Sequence, residues 1–200
     1  MLRKIYPYYA LFIFLSSFLL LFPLMFLFIH FKGAKSINHW LYRIWGYVTL
    51  GGCFIKRKNI RHFKTKKGQV YIYCANHTSY LDIPALYCSI HQDLSFIGKK
   101  SLGKVPLFGY IYSRLHILVD RRDKESKKET VERSKEAIDK GINLIIFPEG
   151  TIPKHHNPHL IEFKDGAFKI AIEKQIPIVP VTMPYNFKIL PDQHKMKAFP

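Results

Sequence analysis

From Ile5 to Ile29 the chain carries no charged side chain, and the stretch from Tyr8 onward reads YYALFIFLSSFLLLFPLMFLFI, apolar on every face. As a helix, Tyr8–Ile29 extends about 33 Å, close to the hydrocarbon thickness of a bilayer. A helix with no polar face does not lie flat on a membrane surface, so the pattern predicts an inserted helix. Pro23 lacks the N–H its turn needs and predicts a kink, which admits a tilted or re-entrant path as well as a span. Tyr6, Tyr8 and Tyr9 fall where an interfacial aromatic belt lies. From Lys35 to Leu50 the pattern changes: Ile37, Leu41, Ile44, Trp45 and Val48 recur at helical spacing opposite Asn38 and Arg43. This predicts a second helix, either interfacial, lying along the first or on the headgroups, or an ordinary core-facing helix of the domain.

Beyond residue 51, short β-branched and aromatic runs alternate with helical patterns. Strands are expected at 69–74, 94–97, 116–119, 142–147 and 178–182, and helices at 79–90, 102–113, 124–140 and 166–175. The charged segment 123–140 pairs Asp123 with Lys127, Lys128 with Glu132 and Glu136 with Lys140 at i,i+4, as a solvated helix face does. Strands alternating with helices imply an α/β fold: a mostly parallel sheet with helices on both faces. Here it is preceded by an N-terminal hydrophobic two-helix membrane element. Residues 1–50 form that element and residues 51–200 the domain.

Charge sharpens this picture. The 200 residues carry 31 Lys and Arg against 14 Asp and Glu. Residues 1–81 hold 12 of the bases and no acid; the other 119 residues hold 19 bases and all 14 acids. An acid-free section beside an apolar run points to an anionic membrane rather than to nucleic acid, for which no binding motif is present. Arg3 and Lys4 resemble the start of a signal peptide, but the apolar run is too long and no small-residue cleavage site comes after it. The excess of bases downstream favours a cell-membrane protein with its domain on the cytoplasmic face. The three cysteines, Cys53, Cys74 and Cys88, lack metal-type spacing and read as reduced core residues.

Two segments carry candidate chemistry. In Asn76-His77-Thr78-Ser79-Tyr80-Leu81-Asp82, the His and Asp would lie about 140° apart on a regular helix. They meet only if His77 sits on the strand-to-helix turn and Asp82 in the first helical turn, with Ser79 as the N-cap. Asp82 then accepts the Nδ1–H bond of His77 and leaves Nε2 free to take a proton. A capping Asp beside a surface His would explain the same residues. The second segment is Phe147-Pro148-Glu149-Gly150-Thr151, just past the most apolar strand, where parallel sheets build their sites. A plain Pro-Glu-Gly turn is its simpler reading. Ser79 lacks the Gly-x-Ser-x-Gly surroundings of a hydrolase nucleophile.

Taken together, the blocks resemble the glycerolipid acyltransferases, the 1-acylglycerol-3-phosphate acyltransferase family. Residues 76–82 resemble its His-x4-Asp motif, 99–121 (KKSLGKVPLFGYIYSRLHILVDR) its second block and 147–151 its Phe-Pro-Glu-Gly-Thr block. The segments 163–168 (FKDGAF) and 176–181 (IPIVPV) resemble the family's later segments, and the apolar helix pair resembles its membrane-docking element. The resemblance implies direct acyl transfer without an acyl-enzyme, from an acyl-CoA or acyl carrier protein thioester to the hydroxyl of a lysolipid in the bilayer, with no cofactor. His77 would be the general base and Asp82 its orienting carboxylate. Arg121 would bind the acceptor phosphate, and Glu149, Gly150 and Thr151 would shape the acceptor pocket. Asn76, or the backbone N–H groups near Ser79, would hold the thioester oxyanion.

One departure stands out. The family commonly continues Glu-Gly-Thr with Arg-Ser, the Arg serving the acceptor phosphate; here Ile152-Pro153 stands in that place. Lys154, His155, His156 or Arg122 would have to substitute, and a lyso-aminolipid becomes a rival acceptor. His155 and His159 are spaced four apart, but Pro158 disfavours the helix that would align them on a metal. A basic membrane-surface protein without enzymatic activity is the rival of another class.

Overall fold

A computed structural model describes residues 2–31, 35–153 and 160–189. Helix α1 (Leu2–Ile29) is continuous through Pro7 and Pro23, and α2 (Lys35–Gly52) returns along it. The stretch Ile5–Ile29 is long and apolar enough to cross a membrane. Much of its surface is bare, with Leu20 79% and Phe12 65% exposed.

The two helices are joined by bonds in antiparallel register. Tyr6 and Tyr9 donate to the carbonyls of Cys53 and Gly52 at 2.9 and 2.7 Å, and the Trp45 indole N–H donates to Phe14 O at 3.2 Å. Asn38 is fully buried. In the amide orientation that satisfies both groups, its nitrogen donates to Met25 O at 3.1 Å and its oxygen accepts from Ile29 N at 3.2 Å. The expected polar side of α2 is thus corrected: Asn38 faces α1, because a buried amide can complete bonds with backbone groups that an apolar residue cannot. α2 lies along α1 and also faces the core: Leu41, Tyr42 and Trp45 are buried while Trp40 and Val48 face outward.

Five parallel strands come next: β1 (Ile72–Ala75), β2 (Leu94–Lys99), β3 (Ile117–Val119), β4 (Asn143–Ile146) and β5 (Ile178–Val181), in the spatial order β3-β2-β4-β1-β5. Side chains alternate between the faces, so a strand covered on both sides must be apolar at every position. Tyr73, Ala75 and Ile145 join Phe18, Trp45, Leu86 and Phe96 on the face covered by α1 and α2, by α3 (Asp82–Ser89) and by α4 (Phe108–Leu115). Ile72, Leu144 and Ile146 join Ile138, Ala167 and Ile170 on the other face, under α5 (Lys124–Asp139) and α6 (Gly166–Lys174). A short α7 (Asn186–Ile189) lies beyond β5.

Two expected helices are corrected. The helix expected at 102–113 is split into a 3-10 turn at Lys100–Lys104 and α4, because Pro106 lacks an N–H and Leu107 adopts a positive φ of 59°. The helix expected from Ser79 begins at Asp82; its N-cap residue is Leu81, and no side chain caps it. On α5, Asp123 is a true N-cap, accepting from Glu125 N and Ser126 N at 3.1 and 3.2 Å, rather than a partner of Lys127. Glu136 and Lys140 do pair there, at 3.6 Å.

Candidate active site

The carboxyl ends of β1 and β4 deliver the two motifs side by side. Ala75 ends β1, and the chain turns through Asn76-His77-Thr78-Ser79 into α3. Asp82, in the first turn of α3, is fully buried. Its Oδ2 accepts three bonds: from His77 Nδ1 at 2.9 Å, Thr78 N at 2.7 Å and Ser79 N at 3.0 Å. Its Oδ1 accepts from Asn186 Nδ2 at 2.8 Å. A carboxylate can only accept, so the His77 proton sits on Nδ1 and Nε2 presents its lone pair. The His77 side chain is 17% exposed, and among the described residues Nε2 has no hydrogen-bond partner.

The second motif packs directly on the first. Phe147 lies flat on the His77 ring, centroids 3.9 Å apart and planes 16° from parallel. Glu149 is also buried, and its Oε1 accepts the backbone N–H of His77 at 2.8 Å while Oε2 accepts from Ile161 N at 3.4 Å. Gly150 closes the turn at φ +71°, its N–H donating to Phe147 O at 2.9 Å. That conformation suits a residue without Cβ. Thr151 is exposed, and its hydroxyl donates to Ile152 O at 3.3 Å.

Other sequence-derived candidates have different surroundings from those expected. Ser79 is fully buried, and its Oγ accepts from Leu81 N at 3.1 Å rather than capping a helix that starts beside it. The N–H groups of Thr78 and Ser79 are both taken by Asp82, so neither remains to hold an oxyanion. The Asn76 amide brackets the backbone of Met183, donating to its carbonyl at 3.1 Å and accepting from its N–H at 2.7 Å. That clamp ties the His77 turn to the segment after β5. Arg121 is half-buried past β3, and burial draws its pKa down, partly offset by the nearby Tyr112. The Tyr112 hydroxyl occupies the space over Gly98, where a Cβ would collide with it. Lys154, His155, His156 and His159 lie outside the described residues. Among the described residues no three His, Cys, Asp or Glu side chains converge as a metal site.

Sequence reasoning did not find Phe147 as the ring's platform or Asn186 as the second donor to Asp82. For Phe147 the apolar residue at the end of β4 was a usable signal. Asn186 lies 104 positions from Asp82, and no local pattern links them.

Similarity to known proteins runs through the same blocks. The family model described as Acyltransferase matches residues 53–184. A 1-acyl-sn-glycerol-3-phosphate acyltransferase of Helicobacter pylori is 37% identical over 115 residues, covering 57% of this chain and 48% of that protein. The chloroplastic 1-acyl-sn-glycerol-3-phosphate acyltransferase BAT2 of Brassica napus is 36% identical over 121 residues, 60% of this chain and 34% of that one. The chain spans between a third and a half of the length of these relatives. The crystal structure of the 1-acyl-sn-glycerophosphate acyltransferase PlsC from Thermotoga maritima shares the fold, with a TM-score of 0.78 at 21% identity over 98% of this chain and 81% of that one. A match from Cys53 to Pro184, over the very residues that build the His77–Asp82 turn and the Glu149 turn, shows that the chain belongs to the acyltransferase family.

Proposed function

We propose that the protein is a membrane-associated acyltransferase that moves a fatty acyl chain from an acyl thioester to the free hydroxyl of 1-acylglycerol 3-phosphate, forming phosphatidate. The observation that carries this reading is the His77–Asp82 pair, with Nδ1 held at 2.9 Å by a buried carboxylate and Nε2 left as a base. The acceptor hydroxyl gives its proton to Nε2 as its oxygen attacks the thioester carbonyl. The C–S bond breaks, and the thiolate leaves with the proton that His77 returns. Asp82 stabilises the transient imidazolium. A positioned base contributes about 10²–10⁴ in rate, and fixing two substrates together contributes further.

The bare apolar face of α1 supports bilayer attachment, and the excess of bases after it supports a cytoplasmic domain reached by acyl-CoA or acyl carrier protein. One observation favours a second acceptor: Ile152-Pro153 offers no cation after the Glu-Gly-Thr turn, as an acceptor lacking a phosphomonoester would allow. Isolated membranes offered lysophosphatidate and a lyso-aminolipid, each with both thioesters, test the choice. Phosphatidate formation is the expected result. Transfer to the lyso-aminolipid alone selects the second acceptor, and transfer to neither overturns both.

A further inference from the structure

From Leu160 onward the chain runs back along the Glu149 turn. The Lys164 N–H donates to Pro148 O at 2.9 Å, and the Ile161 N–H reaches Glu149 Oε2 at 3.4 Å. These bonds lay residues 161–164 along the turn that holds the His77 backbone. At Gly150 a Cβ would stand 3.0 Å from Lys164 Nζ, 3.2 Å from its Cε and 3.3 Å from its Cδ. The lysine stem therefore runs over the face that Gly150 leaves bare, and its ammonium ends beside the turn.

That ammonium has no ion-pair partner among the described residues. Glu149 commits both oxygens to backbone N–H groups, and Asp165 pairs with Lys169. On the same segment Leu160 and Phe163 are 59% and 43% exposed. A positive charge at the site, with bare apolar side chains along the approach, fits an amphiphile whose headgroup is anionic.

We propose that Lys164 receives the phosphate of the acceptor, a contact that Ile152 cannot make; the proposal rests on lysophosphatidate being the acceptor. A phosphomonoester carries a charge of about −1.5 to −2 at neutral pH, and Lys is a compact point charge suited to it. The phosphate sits on the carbon next to the reacting one, but it takes no part in the bonds made or broken and keeps its charge from ground state to transition state. The contact therefore acts on ground state and transition state alike, and shows in KM rather than kcat.

The test uses the full chain in phosphatidylcholine vesicles and two variants, Lys164→Gln and Lys164→Arg. Equilibrium binding of lysophosphatidate, and of monoacylglycerol with the same chain, is measured in a His77→Ala background where no turnover occurs. KM and kcat are measured with His77 present. Lys164→Gln is expected to weaken lysophosphatidate binding and raise its KM by about tenfold, leaving kcat within about twofold. Monoacylglycerol binding is unchanged, and Lys164→Arg recovers most of the loss. Unaltered lysophosphatidate binding in Lys164→Gln overturns the proposal, as do equal losses for both acceptors or no binding by the parent chain. If the parent chain binds lysophosphatidate but transfers no acyl group to it, the functional reading fails while the binding comparison still decides the role of Lys164.

Discussion

Glu149 Oε1 accepts the backbone N–H of His77 at 2.8 Å, so the carboxylate of one motif fixes the main chain of the other. Glu149 does not touch the imidazole through this bond; it sets where the ring starts. With Phe147 against the ring face and Asp82 on Nδ1, His77 is held from three directions. Conversion of Glu149 to Gln leaves one acceptor oxygen for two backbone donors. We expect Glu149→Gln to cost about 1 kcal/mol of stability through the part-buried donor left unpaired. The kcat of the protein that remains folded should also fall, while the KM of the thioester stays near its original value. Denaturation in detergent alongside steady-state kinetics checks both halves.

Asn186 is the donor to the outer oxygen of Asp82. Asn186→Ala leaves that oxygen without its protein donor and is expected to lower activity by about tenfold, a loss of about 1.4 kcal/mol. Asn186→Asp places a second carboxylate against the first and is expected to be the more damaging of the two at neutral pH. Comparing the rates of the two variants, each normalised to folded protein, checks the order. Equal activity of Asn186→Asp and the parent chain contradicts it.

His116 supplies a pH signature outside the site. It is buried, its Nδ1 accepts from Phe96 N at 3.3 Å, and Nε2 is 2.9 Å from the Tyr87 hydroxyl, to which it donates. A second proton would have to enter facing the Phe96 N–H. Burial, joined by the neighbouring His39, holds the His116 pKa well below its usual 6.5. As pH falls below 6.5, the unfolded chain takes up a proton that the folded chain refuses, so stability is lost with acidification. The slope from this one group is at most about 1.4 kcal/mol per pH unit. Urea midpoints between neutral and mildly acidic pH should drop for the parent chain and drop less for His116→Gln.

The exposed face of α1 is accessible to a direct test. Leu20 is 79% exposed in mid-helix. A lysine there, if the helix is inserted, costs about 2.5–3.5 kcal/mol at the bilayer centre and less nearer an interface. Leu20→Lys is expected to shift protein into the carbonate-extracted fraction, while Lys at the exposed Ile172 of α6, 69% exposed, leaves the partition unchanged.

The sheet was legible because its strands are covered on both sides. A run such as Tyr71-Ile72-Tyr73-Cys74 must be apolar at consecutive positions, and few other contexts tolerate that. The His77–Asp82 contact was legible for a similar reason: one local geometry, a turn leading into a first helical turn, brings that spacing together. The helix start was not. Ser79 has the chemistry of an N-cap, but the buried Asp82 carboxylate takes the Thr78 and Ser79 N–H groups first, and the helix begins three residues later. Asn38 looked like part of a solvated face because polarity alone does not reveal a buried amide with two backbone partners in α1. The Asn76–Met183 clamp and the Asn186–Asp82 bond join distant parts of the chain, and neither leaves a periodic trace.

The central claim is that His77 Nε2 removes the proton from the acceptor hydroxyl. Its most direct test is thiol release and phosphatidate formation, monitored together in vesicles holding either the parent chain or His77→Ala at matched membrane content. Coupled, stoichiometric release and ester formation are expected of the parent chain, and a loss of both by about 10²–10⁴ in the variant. Equal rates for the two chains, with the variant folded and membrane-bound, would contradict it.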